Sequence, residues 1–285
     1  MKKTLFILLV VLLLPGCVET IAIRTVGGIM DYGFEAFNEE ADLQLAHEAL
    51  GSNLKLIEAL IKGDPKNQKL LLLAAQGYNA YALAFAEDDS VERARMFYLR
   101  AKEYSLRILN RNARFRDAHQ KSPDEFQAML RTMSKSDVPA IFWTAFAAAS
   151  YVNICLTDLE AMADVPKIIA MMEFVIANEP TYYYGGAYLA LGSIEATKPP
   201  ALGGRPEKAK EYFEKAIAAS NGKFLLATVY YAKTYAVQVQ DQELFLSLLK
   251  KVEEASPDIL PEARLPNSVA KHKARVLSTR VNELF

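Results

Sequence analysis

Apolar residues recur at intervals of three and four along nearly the whole chain, and no segment alternates apolar with polar for more than a few positions. A period near 3.6 predicts amphipathic helices, and the lack of period two argues against a sheet. From Asp42 to Lys62 the residues Leu43, Ala46, Ala49, Leu50, Leu54, Ile57, Leu60 and Ile61 mark one face, and Gly63, Asp64 and Pro65 stop the run. A shorter helix over Ile29–Phe37 precedes it, after Gly27 and Gly28, each of which weakens a helix by about 1 kcal/mol relative to alanine. Further helices are expected over Leu71–Ala86, Val91–Arg111, Ser136–Thr157 and Pro166–Ala177. A short one opens at Ser122–Pro123, with Glu125 completing a capping box, and a last one runs over Asn267–Phe285 with Val269, Val276, Val281 and Leu284 on one side. Asp89 with Glu92 reads as the capping box of the Val91 helix, and Arg111–Lys121, without an apolar period, reads as a loop.

The helices fall into pairs. Tyr188, Leu191 and Gly192 follow the W-x2-L-G opening of a tetratricopeptide repeat, and Ala209 and Phe213 its A-x3-F second helix. Leu71, Ala74, Ala75 and Tyr78 repeat the first spacing, as do Trp143, Phe146 and Ala147, and Phe224, Ala227, Thr228 and Tyr231. Ala94 with Tyr98, and Phe245 with Leu249, repeat the second. The fold class is therefore all-α, with about four degenerate tetratricopeptide-like pairs whose first helices are unusually long, plus flanking helices, in one domain over residues 29–285. Such pairs bury their apolar faces only by stacking, and stacking lines a concave surface with the first helices. One segment exceeds what the repeat needs: Pro199, Pro200, Ala201, Leu202, Gly203 and Gly204 interrupt the third pair, with prolines that forbid continuous helix.

The N-terminus carries an address. Lys2 and Lys3 precede ten apolar residues, Leu5–Leu14, far short of the roughly 20 that a spanning helix requires. Leu14, Pro15, Gly16 and Cys17 resemble a bacterial lipobox, so residues 1–16 read as a lipoprotein signal peptide and residues 17–28 as a tether starting at a lipidated Cys17. The alternative is an ordinary signal peptide followed by an incidental cysteine. Val18 stands where an inner-membrane retention Asp would be, which points to the outer membrane. Removing Lys2 and Lys3 from 33 basic and 34 acidic side chains leaves 31 against 34, a net charge of −3 that offers nucleic acid no general attraction. Cys155, on an apolar stretch, is then the sole free thiol and reads as buried and inert.

Residues able to do chemistry are scarce. His47, His119 and His272 are scattered, and no zinc-protease helix, nucleophile elbow, phosphate loop or paired cysteine ligands occur, which argues against an enzyme, a metal or a cofactor other than lipid on Cys17. Glu87, Asp88 and Asp89 lack the alternating oxygen ligands of a calcium loop. Between Arg93 and Lys121 nine basic residues face two acidic ones, and Arg93, Arg100, Arg107, Arg111 and Arg114 share a helical face. That stripe is either a solvated face or a docking surface for an acidic partner, with Arg100, Arg107 and Arg111 as its candidates. Aromatic residues crowd the first helices: Tyr78, Tyr81, Phe85, Trp143, Phe146, Tyr182, Tyr183, Tyr184, Tyr188, Tyr230, Tyr231 and Tyr235. Each single ring is ordinary core filling, but a core with this many hydroxyls strains for partners, so a cavity lined by Tyr78, Tyr81, Phe85, Trp143, Phe146, Tyr184 and Tyr188 is the alternative.

The lipobox, AAQGYNAYALAFAEDD at 74–89, RARMFYLRAKEYSLRIL at 93–109, VPAIFWTAFAA at 138–148 and YYYGGAYLALGSIEATKPPALGGRPEKAKEYFEKAI at 182–217 together resemble the T-component family of tripartite ATP-independent periplasmic (TRAP) transporters. The segment KPPALGGRPEKA is the most specific of these. The resemblance implies a periplasmic, lipid-anchored, non-enzymatic accessory of tetratricopeptide-like fold that pairs with the solute-binding subunit and helps deliver a hydrophobic organic acid to the permease. It also implies ring-like homo-oligomers, trimers, with a pore communicating with a cavity in each protomer. The competing reading is a scaffold or adaptor lipoprotein for envelope protein assembly, with no small-molecule ligand.

Overall fold

The computed structural model describes residues 29, 30, 32–155, 158–198 and 204–285, and among these every regular element is helical. The expected leader, the tether with Cys17, and Pro199–Gly203 of the Pro/Gly loop lie outside the described residues. Helix α1 covers residues 32–38. Helix α2 (Leu43–Gly63) is capped by Asp42, whose carboxylate accepts from the amides of Gln44 and Leu45, and buries Ala46, Leu50, Leu54, Ile57 and Ile61 as the periodicity predicts. Helix α3 (Gln68–Tyr81) starts at the Asn67 cap, and α4 (Val91–Leu109) at Ser90. The cap of α4 is thus Ser90 and not Asp89, because its hydroxyl accepts from the Arg93 amide at the required three-residue spacing.

The expected loop at 111–121 is ordered into α5 (Ala113–Arg116) and a 3-10 turn (Asp117–Gln120), pinned by fully buried Phe115 and Ala118. Helix α6 (Pro123–Leu130) carries the expected Ser122–Glu125 capping box. Then follow α7 (Val138–Ile154), α8 (Leu159–Ala163), α9 (Val165–Asn178), α10 (Gly186–Thr197), α11 (Pro206–Ala219), α12 (Leu225–Tyr230), α13 (Gln242–Glu254), α14 (Arg264–Ser278) and α15 (Val281–Leu284). Each long helix packs on the next: α3 on α4, α4 on α7, α7 on α9, α10 on α11, and α12 and α13 on α14. Close approach within pairs requires small residues. A Cβ on Gly77 of α3 would come within 2.8 Å of Leu54, and one on Gly192 of α10 within 3.1 Å of the Phe213 ring.

Two first helices end in π-helical turns, Ala82–Ala86 after α3 and Tyr231–Ala236 after α12. An i to i−5 bond from Glu87 N to Ala82 O at 2.9 Å closes the first, and another from Asp241 N to Ala236 O at 2.9 Å ends the helix beyond the second. The wider turn rotates every later side chain relative to the earlier ones.

The seam of α2, α3 and α4 is organised by Glu58. Its carboxylate accepts from Lys55 Nζ and Tyr78 Oη at 2.6 Å each and from Tyr104 Oη at 3.0 Å. Burial pushes this carboxyl up, but the hydrogen bonds from Lys55, Tyr78 and Tyr104 outweigh it and hold the group at about 2. Arg100 lies over the Tyr78 ring at 5.2 Å and donates to its hydroxyl at 3.2 Å.

The last long helix closes the array. The expected buried stripe of Val269, Val276, Val281 and Leu284 is not the one formed: Val276 is exposed, and Val269, Ala270, Lys273, Ala274 and Leu277 face inward. The helix begins at Arg264 and breaks at Thr279–Arg280, so Val281 and Leu284 belong to a separate turn. Buried Lys273 reaches back across the molecule to Asp88 at 2.8 Å and Glu87 at 3.4 Å, and Glu87 also accepts from Tyr98 Oη. Arg264 donates to the Glu39 carbonyl at 2.7 Å beside it.

Removing one member of a buried pair strands the other. Lys273→Met is expected to lower unfolding free energy by about 3 kcal/mol in urea titrations, and a loss below about 1 kcal/mol would show that packing alone closes the array. Glu58 supplies a second test. Its folded carboxyl lies below the ordinary 4.5, so its stabilisation is complete above that value and is lost as pH falls toward 2. Between about pH 5.5 and about pH 3 the unmodified chain should lose about 1–2 kcal/mol more than Glu58→Gln, after allowance for partial solvent screening. Equal losses in urea titrations of the two would refute the assignment.

Candidate functional site

Helices α3, α7, α10 and α12 converge on a partly covered cavity of about 130 Å³ with overwhelmingly apolar walls. Helix α3 and its π-helical turn contribute Gln76, Asn79, Ala80, Leu83, Ala84 and Phe85; α7 contributes Trp143, Phe146 and Ala149; α10 contributes Gly186, Leu189, Ala190 and Ser193; α12 contributes Leu226 and Tyr230. Helix α14, held by Lys273, adds Leu265, Pro266 and Val269 as the closing wall. Glu87, Asn153, Thr197 and Lys198 surround one end. Phe34, Asn38, Gln76, Tyr183 and Pro266 stand at the other, where the cavity adjoins a wider depression of about 480 Å³ that these same residues also line.

A strained turn builds the boundary between the two spaces. Tyr183 (φ 45°), Tyr184 (φ 58°) and Gly185 (φ 79°) are consecutive left-handed residues between α9 and α10. For tyrosine this conformation costs on the order of 1 kcal/mol or more and persists only where surroundings over-determine it. Glycine is needed at 185, since a Cβ there would lie 2.6 Å from the Ala219 Cβ. The turn sets the Tyr183 ring among Trp143, Phe142 and Phe224, with centroids 4.7, 5.7 and 5.7 Å away. Tyr182 Oη accepts from Trp143 Nε1 at 3.2 Å and fixes the indole that forms the adjoining wall. Burial pushes the Tyr183 phenol well up, so the hydroxyl stays protonated.

Of the seven aromatic residues expected to line a cavity, Phe85, Trp143 and Phe146 face this one. Tyr184 lines the neighbouring depression and stacks on Phe224 at 4.8 Å. Tyr78, Tyr81 and Tyr188 line neither space. Tyr78 is committed to Glu58, Tyr81 bonds to His47 at 2.9 Å and receives Arg93 Nη2 at 3.0 Å, and Tyr188 packs near Tyr212 at 6.4 Å. The proposed docking arginines lie on α4 and beyond it with their donors turned to the protein itself: Arg107 to Pro65 O at 3.1 Å, Arg111 to Lys66 O at 3.3 Å, and Arg100 to Tyr78 and Glu58. Sequence reasoning missed Tyr183 as the boundary residue, the polar wall residues Gln76, Asn79, Asn153 and Ser193, and the whole contribution of α14. Cys155 is buried, and its burial pushes the thiol up, away from reactivity.

Among the described residues no group of His, Cys, Asp and Glu side chains is arranged to hold a metal ion, and no helix is long and apolar enough to cross a membrane. No curated protein matches the chain. A model of the family described as TRAP transporter T-component does match, over residues 39–285, from just before α2 to the C-terminal residue. That span contains all four first helices and the closing helix α14, and the chain belongs to the TRAP transporter T-component family.

Proposed function

We propose that this chain is a non-enzymatic, lipid-anchored periplasmic accessory of a TRAP transporter, in which a closed array of tetratricopeptide-like helix pairs holds a hydrophobic small molecule in the cavity between its first helices. The cavity carries the reading. A scaffold that grips a protein segment needs a broad open concave face, whereas here α14 lines one side of the space between the helices and leaves a partly covered pocket with few polar groups. The fit of helix to helix supports the repeat assignment, since Gly192 against Phe213 and fully buried Ala94, Tyr98 and Ala209 are the small and large positions of the motif.

Within that reading Cys17 bears the lipid that ties the chain to the outer membrane, the chain assembles as a homotrimer, and the solute-binding subunit docks on the α4 side. Arg111 is exposed and Arg107 half-buried there, and each donates to a backbone carbonyl.

Filling the cavity from opposite walls tests the central claim. Nile red should bind the unmodified chain with a blue-shifted emission, and Ala149→Phe or Ser193→Phe should weaken it at least about tenfold while the circular dichroism melt stays cooperative. Unchanged binding in both variants would place the dye elsewhere and remove the cavity from the reading. Docking and anchoring are tested together in membranes. Arg107→Glu with Arg111→Glu should cut capture of the solute-binding subunit several-fold at low salt and little at high salt. Cys17→Ser should release the chain into the soluble fraction, and retention of that variant in membranes would end the lipid-anchor assignment.

A further inference from the structure

One end of the molecule is strongly cationic. Residues 62–69 and 107–131 hold nine Lys and Arg side chains against four Asp and Glu, a local charge of +5, whereas the whole chain sums to −1 and the remainder therefore carries −6. Hydrogen bonds bring these two stretches together. Arg107 Nη2 donates to Pro65 O at 3.1 Å and Arg111 Nη1 to Lys66 O at 3.3 Å, which ties the end of α4 to the turn between α2 and α3. Beyond it, Asn112 Nδ2 reaches Met133 Sδ at 3.3 Å, and the buried Phe115 and Phe126 rings join α5 to α6 with centroids 5.9 Å apart. Lys62, Lys66, Arg114, Lys121 and Arg131 are all exposed. Of the acids, Asp64 is half-buried, Asp117 stands 3.9 Å from Arg116, and Glu125 is used by the Ser122 cap.

The N-terminal end of α1 lies toward the same side. Phe37 packs in the clusters of Ala46 and Leu50, near the start of α2, whereas Phe34 and Met30 pack in that of Ile57, Ile61 and Leu70. Helix α1 therefore runs antiparallel to α2, with Met30 toward the end at which α2 stops at Gly63. Ile29 and Tyr32, 62% and 73% exposed, stand there. Cys17 precedes Ile29 by twelve residues, a reach of at most about 40 Å at full extension.

Charge by itself suits an acidic protein and a layer of phosphates equally well. Apolar content separates the two. A protein interface is organised around aromatic or aliphatic anchors, and among the described residues none of the exposed large hydrophobic side chains falls within 62–69 or 107–131. A bilayer needs no such anchor: it presents many phosphates at once, attracts each Lys and Arg separately, and takes up an exposed Tyr or Ile at headgroup depth.

We propose that this end rests on an anionic bilayer, with Lys62, Lys66, Arg114, Lys121 and Arg131 among the headgroup phosphates and Ile29 and Tyr32 at the edge of the contact. The proposal adds to the lipid-anchored reading above, which supplies the bilayer, and is independent of the cavity. Anchor and surface do different things. A tether of up to about 40 Å keeps the chain near the membrane in any orientation, whereas the cationic end selects one.

The test uses the mature chain, residues 17–285, with Cys17→Ser, so that no acyl group contributes. In sedimentation at low salt it should bind phosphatidylcholine vesicles containing about 30% phosphatidylglycerol at least about tenfold more tightly than phosphatidylcholine alone, and lose that preference in about 0.5 M salt. Lys66→Glu with Arg114→Glu and Arg131→Glu should bring binding to the two vesicles level, and Ile29→Ser with Tyr32→Ser should weaken it several-fold. Lys210→Glu with Lys250→Glu and Lys251→Glu, on α11 and α13, changes net charge equally and should leave the preference within about threefold. Should the first set of reversals disturb the cooperative melt, Gln at the same three positions should still remove most of the preference. Equal binding to the two vesicles by the Cys17→Ser chain, or equal losses from the two sets of reversals, would overturn the proposal. Normal vesicle binding by the first set together with lost capture of the solute-binding subunit would overturn it too, and make this end a protein-docking surface. None of these outcomes touches the lipid anchor, which stands or falls on the membrane fractionation of Cys17→Ser.

Discussion

Everything about this cavity depends on one buried ammonium. Lys273, on the inward face of the last long helix, reaches the carboxylates of Glu87 and Asp88 at the end of the first π-helical turn. The two ends of the array are about 185 residues apart in sequence at that contact, and loop closure over such a length costs only slightly more than over half of it. Desolvating the ions costs far more, so the arrangement is stable only because the partners are near and Tyr98 fills a remaining acceptor site on Glu87. The consequence is geometric. With α14 in place, Leu265, Pro266 and Val269 line the space opposite α3, α7 and α10, and a groove becomes a partly covered pocket.

Departures from regular helix gather around that space. Both π-helical turns follow cavity-lining helices, and the run of left-handed residues at Tyr183, Tyr184 and Gly185 stands at the cavity end. Local strain of this kind survives when tertiary packing leaves the chain no alternative, and it concentrates where a shape other than the best-packed one is required. The aromatic cluster of Phe142, Trp143 and Phe224 supplies that packing for Tyr183.

The helices were legible because a 3.6 period survives in nearly every one, and some of their contacts because Gly77, Gly192, Ala94 and Ala209 sit where helices touch. The site was legible only in part. Tyr78 and Tyr81 share a face with Phe85 on paper, but the cavity takes the adjacent face, through Gln76, Asn79, Ala80 and Leu83, while Tyr78 and Tyr81 turn toward Glu58 and His47. The π-helical turn then brings Phe85 to the border of both faces, in contact with His47 at 4.7 Å and with the cavity. The internal bonds of Arg107 and Arg111 were hidden for a different reason: their acceptors are backbone carbonyls, which leave no mark on residue identity. Lys273 did leave one, as a charged residue inside the stripe Val269, Ala270, Lys273, Ala274 and Leu277.

A hydrophobic cavity in a folded protein needs a reason not to collapse, since each missing contact forfeits dispersion energy and neighbouring side chains relax into the space where they can. Here the walls are held from behind. Trp143 is fixed by Tyr182, the α3 wall by the Glu58 seam through Tyr78, and α14 by the ion pair at Lys273. The first two fastenings lie behind the wall and the third touches the cavity only through Glu87, so the polar groups of the space are few: Asn79, Gln76, Ser150, Ser193 and those near its ends. Three tyrosines of these helices, Tyr78, Tyr81 and Tyr151, anchor the back of the wall by hydroxyl bonds to Glu58, His47 and Asp158, and the faces that remain apolar define the space.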